Sequence, residues 1–232
     1  MIAHSGIASR RSAEDLVKAG RVVVDGAPAH LGQKVDPDSA LVLVDGVPLP
    51  VRPGLVHYLL NKPRGVVSTV EDPHAERTVV ELVPADTRVY PVGRLDADSE
   101  GLIILTNDGD LTEAITHPSH GVTKTYLARV KGSPGVAALR NLIEGVELDD
   151  GPAHAVSARV IDRIGPETLV EVVMLEGRKR QVRRMLAAVG HDVVRLVRLA
   201  IGPIQDRSLR PGEWRPLTVE EVRDLYRAAG MG

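Results

Sequence analysis

The sequence predicts an α+β protein: a small α/β module at the N-terminus, then a larger domain in which helices flank a mixed, mainly antiparallel sheet. Three observations predict it. Two short valine-rich runs near the N-terminus each close on an Asp-Gly pair, Asp25-Gly26 and Asp45-Gly46, a strong hairpin signal. A proline-rich stretch, "VPLPVRPG" with Pro48, Pro50 and Pro53, reads as a stiff linker and divides the chain into residues 1–50 and 55–232. Beyond it, apolar runs of strand length outnumber helical patterns and follow no Rossmann or P-loop spacing.

In the first unit, Ser9 to Gly20 has the pattern of a short helix. Ser9 or Ser12 caps its start, Ala13, Leu16 and Val17 form an apolar stripe, and Gly20 ends it. Arg10, Arg11, Lys18 and Arg21 decorate this helix, and the strands "RVVVDG" and "ALVLVDG" complete the module. In the second unit the strand candidates are "LVHYLL", "GVVST", "GLIILT", "KTYLARV", "AVSARVI", "TLVEVVML" and "VVRLVRLAI". Helix candidates are Val79 to Leu82, Leu111 to Ile115, Val136 to Glu144, Arg178 to Val189 and Thr218 to Ala229, the last with Thr218 and Glu221 in capping-box spacing.

Composition narrows the function classes. With 43% hydrophobic and 26% charged residues the chain has the balance of a folded globular protein. No apolar run approaches the roughly 18 to 20 residues of a bilayer crossing, and the N-terminus has no basic segment leading into an apolar stretch, so a cytoplasmic protein is expected. The absence of cysteine excludes disulfides, thiolate nucleophiles and sulfur-ligated zinc. Phe is absent and only Trp214, Tyr58, Tyr90, Tyr126 and Tyr226 are aromatic, which excludes a broad platform for stacking several bases but leaves room for one. The formal net charge of −2 hides an uneven distribution. Glu71 to Glu113 holds eleven acids against three arginines, whereas Glu176 to Arg198 holds seven basic residues against two acids.

Both stretches hold candidate site residues. In "GRLDADSEGLIILTNDGDL", Asp96, Asp98 and Glu100 sit in a polar loop just before a buried-looking strand, where a rigid element can hold a carboxylate in fixed geometry. The same loop also reads as an acidic surface turn, and spacing leaves all three acids open. In "EGRKRQVRRMLAAVG", Val182, Met185, Leu186 and Val189 fall at helical spacing. A step of about 100° per residue then puts Lys179, Arg180, Arg183 and Arg184 on one arc beside that stripe. Such an arc suits the phosphates of a nucleic acid, or is a solvated face. Arg183, nearest the apolar edge, is placed to turn inward onto a buried carboxylate. Tyr126, in a strand, either covers a base or fills the core. His117 and His120 in "HPSH" are loop residues without a third ligand, and no metal site is expected.

Taken in order, "NKPRGVVST", "GRLDADSEGLIILTNDGDL", "TKTYLARV" and "EGRKRQVRRML" resemble the bacterial ribosomal pseudouridine synthases of type A, which act on the small subunit, and of types B and F, which act on the large one. The N-terminal "SGIASRRSAEDLVKAGRVVVDG" is similar to the S4-type RNA-binding domain that those enzymes carry, and the resemblance covers nearly the whole chain. It implies isomerisation of a uridine in ribosomal RNA. The pattern is closer to type B, which implies 23S rather than 16S rRNA, met by a monomer in a ribosome assembly intermediate and away from any membrane. It implies that Asp96 is the catalytic carboxylate, which attacks the ribose anomeric carbon or removes a neighbouring ribose proton. Tyr126 then packs against the target uracil, Arg183 pairs with the aspartate, and Leu196 lines the pocket. Apart from the resemblance, Arg94 is expected from its position beside Asp96 to contact the flanking phosphate, Lys179, Arg180 and Arg184 are expected from the basic arc to bind substrate, and Arg10, Arg11, Lys18 and Arg21 belong to the RNA-binding module.

These roles agree with elementary chemistry. The reaction breaks a carbon–nitrogen glycosidic bond, turns the uracil and rejoins it through carbon, so no cofactor is required. An arginine partner keeps a carboxylate ionised and fixes its rotamer. A uridine stacked in a helix must be flipped out to react, and an aromatic contact offsets part of the few kcal/mol that flipping costs. Family members begin with a basic, leucine-rich helix, whereas only Met1 to Ser5 precede Gly6 here, so the first helix is expected to be truncated or to start upstream. Two other readings stay open from the residues: a noncatalytic RNA-binding protein, and a hydrolase holding magnesium with Asp96, Asp98 and Glu100.

Overall fold

The computed structural model describes Ile2 and residues 10–35, 40–48, 55–73, 76–84 and 86–230. The N-terminal module consists of α1 (Arg10–Lys18), β1 (Val22–Val24), β2 (Ala27–Pro28), β3 (Val42–Val44) and β4 (Val47–Pro48). Its four strands form an antiparallel sheet in the order β2-β1-β3-β4. Both expected Asp-Gly turns are present. Asp25 and Asp45 take φ of 49° and 55° and the following Gly26 and Gly46 take 84° and 76°, the paired left-handed backbone that matches the twist of a two-residue hairpin. Ala13, Leu16 and Val17 of α1 pack on Val22, Val24, Val42 and Val44, as the stripe predicts. Gly20, at φ 69°, ends the helix. The predicted cap Ser9 and most of the predicted linker lie outside the described residues, and Ser12 lies inside the helix.

The second unit continues with β5 (His57–Lys62), β6 (Tyr90–Val92), β7 (Glu100–Thr106), α2 (Gly109–Thr116), β8 (Lys124–Lys131) and α3 (Val136–Glu144). Then come β9 (Val146–Leu148), β10 (Gly151–Ala153), β11 (Ser157–Ile164), β12 (Glu167–Met174) and α4 (Gln181–Ala188), and finally β13 (Val193–Ile201), β14 (Ile204–Gln205), β15 (Trp214–Pro216) and α5 (Val219–Ala228). Seven strands run in the order β11-β12-β8-β13-β7-β5-β15, with β14 added to β13, β6 added to β7, and β9 and β10 forming a separate hairpin. Pairing is antiparallel except between β7 and β13. The mixed, mainly antiparallel sheet is therefore as the sequence predicts. No helix among the described residues is long and apolar enough to cross a membrane.

The centre of the sheet is buried on both faces, and β7 is buried along nearly its whole length. Ile103 and Leu105 point into a core with Leu142 of α3 and Val182, Met185 and Leu186 of α4. Leu102 and Ile104 point into a second core with Leu111 and Ile115 of α2 and Val222, Leu225 and Tyr226 of α5. Each such side chain contributes about 1.5–3 kcal/mol on burial, so this strand is a rigid base for the loop that precedes it. Val47 of β4 joins the α5 side of the second core. The parallel contact also imposes one glycine. A Cβ on Gly101, at φ 110°, would stand 2.3 Å from the Arg198 carbonyl oxygen and 2.5 Å from its nitrogen.

Two expectations are corrected. "GVVST" forms no strand beyond a single bridge between Val67 and Thr78: Gly65 and Ser68 bond to the loop of Asp96, and Val67 bonds to Arg77 and Val79. The helix expected from Arg178 starts at Gln181, and Arg180 at its N-cap has left-handed φ 53°. Val79–Leu82 is a 3-10 turn, with Thr78 donating its backbone N–H to the Glu81 carboxylate at 3.1 Å.

Candidate active site

Asp96 lies in the connection from β6 to β7, and the segment after β5 holds that connection still. Ser68 Oγ donates to the Leu95 carbonyl at 2.8 Å and accepts from the Leu95 N–H at 3.1 Å. Gly65 N–H donates to the Ala97 carbonyl at 2.7 Å, and Ser99 N–H closes a turn onto the Asp96 carbonyl at 3.0 Å. The 62–66 turn is pinned in its own right. The fully buried Lys62 ammonium donates to the carbonyls of Val66 at 2.6 Å and Pro63 at 3.0 Å, and burial lowers its pKa to about 8. The residues on both sides of Asp96 are thus fixed by backbone bonds while its carboxylate stays 30% exposed and accepts no hydrogen bond within the described residues. It opens into a cavity of about 340 Å³ whose lining includes Tyr126, Leu196, Val182, Arg94, Lys179 and Arg180.

The arginine partnership differs from the expected one. Arg183 reaches the loop, with Nη2 donating to the Asp98 carbonyl at 3.0 Å and Ser99 Oγ at 3.3 Å and Nη1 donating to the Val193 carbonyl at 3.2 Å. Its nearest carboxylate is that of Asp98, at 3.4 Å, and it does not pair with Asp96. Burial lowers the Arg183 pKa, and the Asp98 charge opposes that shift. Arg180 meets Asp98 two-pronged, at 2.9 and 3.0 Å, and stands 4.0 Å from the Asp96 carboxylate. The two-pronged bond holds Asp98 below the usual carboxylate range and raises Arg180. Glu100 is engaged elsewhere, by Arg195 at 2.7 and 3.0 Å. The three acids therefore do not converge, which removes the ligand set that the magnesium reading required.

The basic arc drawn for a continuous helix is also revised. Because α4 starts at Gln181, Lys179 and Arg180 leave the helix and line the cavity, but Arg184 stays on it and turns to Asp150, at 2.8 and 2.9 Å. Arg184 does not line the cavity. Arg178 joins it on the β9–β10 hairpin by donating to the carbonyls of Asp150 and Gly151 at 3.0 and 3.1 Å, while its Nη2 donates to Glu176 at 3.0 Å. Exposed Arg94 and Lys179 carry no ion pair within the described residues. Tyr126, 8% exposed, and Leu196, 4% exposed, lie diagonally across the neighbouring strands β8 and β13, and both line the cavity where it meets the core. In the N-terminal module, Arg21 is held by Asp45 at 2.7 Å through both prongs and Lys18 lies 3.9 Å from Asp15. Arg11 is exposed, and the side chain of Arg10 lies outside the described residues. Sequence reasoning missed Ser68, Lys62 and the role of Asp98 as the arginine acceptor. The motif "NKPRGVVST" was the signal for the first two, and no spacing signalled the third.

Comparison with known proteins identifies the family. The family described as RNA pseudouridylate synthase matches residues 56–188, and the S4 domain matches residues 1–41. An uncharacterized RNA pseudouridine synthase of Mycobacterium leprae is 48% identical over 236 residues, covering 100% of this chain and 92% of its own length. Ribosomal large subunit pseudouridine synthase B of Bacillus subtilis is 40% identical over 236 residues, covering 100% of this chain and 96% of its own. A solved pseudouridylate synthase superposes with a TM-score of 0.66 at 30% identity, covering 97% of this chain and 96% of that one. The chain therefore belongs to the RNA pseudouridylate synthase family, enzymes that isomerise uridine to pseudouridine in RNA, and carries an S4 domain ahead of its catalytic domain.

Proposed function

We propose that this enzyme isomerises a uridine of 23S ribosomal RNA and that Asp96 is the carboxylate that acts on the ribose of the flipped-out nucleotide. The observation that carries the reading is the state of Asp96: a carboxylate on a loop fixed by backbone bonds, accepting none itself, at a cavity lined by Tyr126 and Leu196. In the reaction the bond from the ribose anomeric carbon to N1 breaks and the uracil turns. A bond to C5 then forms, and the proton lost from C5 is balanced by one gained at N1. Atoms and electrons balance without an added reagent.

The flipped base stacks on Tyr126 and Leu196, a contact on the order of 1–3 kcal/mol that offsets the cost of extrusion. Arg94, Lys179 and Arg180 ring the opening and meet the phosphates beside the target, while Arg183 braces the aspartate loop from behind through Asp98 and Ser99. The S4 domain, with Arg11 and Lys18 on α1, supplies a second docking point, and residues 1–50 and 55–232 act as two units. The choice of 23S rRNA is supported by relatives in Bacillus subtilis and Vibrio cholerae named for the large ribosomal subunit, 40% and 38% identical to this chain. A monomer working on an assembly intermediate suits a target that is buried in the finished ribosome.

The test is reverse-transcription mapping of pseudouridine in rRNA from a deletion strain complemented with the wild type or with Asp96→Asn. One 23S position is expected to disappear on deletion and return only with the wild type. Loss of a 16S position would overturn the substrate assignment, and restoration by the variant would overturn the role of Asp96.

A further inference from the structure

The turn after β5 carries an arginine that the site described above does not use. Arg64 is exposed and makes no hydrogen bond and no ion pair among the described residues. The arginines around it are engaged, Arg195 by Glu100 and Arg180 and Arg183 by Asp98. The charge of Arg64 is felt by both Glu100 and Arg183, which places it beside the loop of Asp96. The backbone under it is fixed. Lys62 holds the carbonyls of Pro63 and Val66, Gly65 turns the corner at φ 90°, and the Gly65 N–H is bonded to the Ala97 carbonyl. Arg64 is therefore one residue away from a bond to the residue that follows Asp96. It does not line the cavity, whose cations include Arg94, Lys179 and Arg180.

We propose that Arg64 is a further RNA-binding residue of this enzyme, which takes a backbone phosphate next to the target uridine, outside the cavity, and holds the strand against the Asp96 loop. A strand that places one nucleotide in the cavity leaves its neighbours on the rim, and their phosphates supply the anion that this guanidinium lacks. The contact is charge-assisted, admits two parallel N–H bonds, and releases counterions from the RNA. Phosphate contacts set register and orientation. A cation on a turn bonded to Ala97 therefore fixes where the strand lies relative to Asp96 as well as how tightly it is held. This inference rests on the reading that the uridine is flipped into the cavity, and it adds a contact outside that cavity.

The test compares full-length wild type, Arg64→Gln and Arg64→Lys on 23S and 16S rRNA transcripts, by filter binding over a salt series and by single-turnover tritium release from C5-labelled uridine. In Arg64→Gln the slope of log affinity against log salt is expected to fall by about 0.7–0.9, the signature of one lost phosphate contact, with affinity about fivefold weaker. The enzyme concentration for half-maximal rate should rise by a similar factor, and the rate at saturation should fall less than about twofold, because the contact positions the strand without touching the reacting atoms. Arg64→Lys keeps the charge and is expected to restore the slope. Exposed Arg163 on β11, at the far end of the sheet, is the control, and Arg163→Gln is expected to change neither slope nor rate. An unchanged slope and affinity in Arg64→Gln, or equal losses in the two glutamine variants, would overturn the proposal. A lower saturating rate at unchanged affinity would also overturn it and make Arg64 a brace of the loop. Phosphate-ethylation interference locates the contact: ethylation of one phosphate within about two nucleotides of the modified uridine is expected to weaken the wild type and leave Arg64→Gln indifferent. Identical interference in both proteins, or a difference confined to phosphates far from that uridine, would refute the placement. The assignment of Asp96 fails separately, by tritium release from Asp96→Asn, and that failure leaves the interference pattern of Arg64 standing.

Discussion

Replacing Ser68 by alanine removes one oxygen and leaves two buried backbone groups without partners. Ser68 and Leu95 are 4% and 6% exposed, and the hydroxyl both donates to the Leu95 carbonyl and accepts from its N–H. A buried polar group left unpaired costs about 1–3 kcal/mol, so the variant is expected to lose about 2–4 kcal/mol of unfolding free energy in urea, the upper sum being reduced by local relaxation. Leu95 immediately precedes Asp96, and a displacement of about 1 Å at a reacting group is enough to slow chemistry on the order of a hundredfold. The single-turnover rate on saturating RNA is therefore expected to fall more steeply than the stability loss alone would give at a temperature where the variant is still folded. A stability change below about 0.5 kcal/mol together with a wild-type rate would refute the idea that the segment after β5 positions the aspartate.

Three further outcomes follow from the same geometry. Gly101→Ala places a methyl group 2.3 Å from a backbone oxygen of β13, so the parallel pairing of β7 must open, and a loss of more than about 3 kcal/mol or an insoluble product is expected in a denaturation series. A soluble variant of normal midpoint would contradict it. Lys62 has a folded pKa of about 8, lowered from 10.5, so the unfolded chain binds more protons between those values and the contribution of this group to stability rises with pH across that window. The unfolding free energy of the wild type relative to Lys62→Met should therefore climb from pH 8 to pH 10, and a flat or falling difference would show that the ammonium is not destabilised by burial. Arg183→Ala, which removes bonds to Asp98, Ser99 and Val193, is expected to abolish turnover while largely sparing RNA affinity in a filter-binding assay; the reverse pattern would make it a phosphate contact.

What the sequence carried depended on whether the determinant was local. Asp25-Gly26 and Asp45-Gly46 read as tight turns because the left-handed backbone they need is a property of those two residues alone. Val136 to Glu144 and the capping box of Thr218 and Glu221 were legible for the same reason, since periodicity and caps are written within one turn of helix. The errors came from distant partners. "GVVST" has strand composition, but Gly65 and Ser68 bond to Ala97 and Leu95 and Val67 bonds to Arg77 and Val79, partners outside those five residues. The helix starts at Gln181 behind a left-handed Arg180 whose guanidinium bonds to Asp98, 82 residues earlier in the chain and outside any local pattern. Tyr126, Leu196, Arg94 and Lys179 do line one cavity with Asp96, but the resemblance to a family placed them there more than spacing did. The choice between Asp96 and Asp98 as the paired acid was invisible to spacing and is decided by which of them the arginines reach.

The most direct measurement is tritium release from C5-labelled rRNA by Asp96→Asn beside the wild type, with RNA affinity and unfolding midpoint measured on the same preparations. The account predicts a folded variant that binds RNA normally and releases no tritium above background. Pseudouridine formed by that variant at a rate near that of the wild type would contradict it.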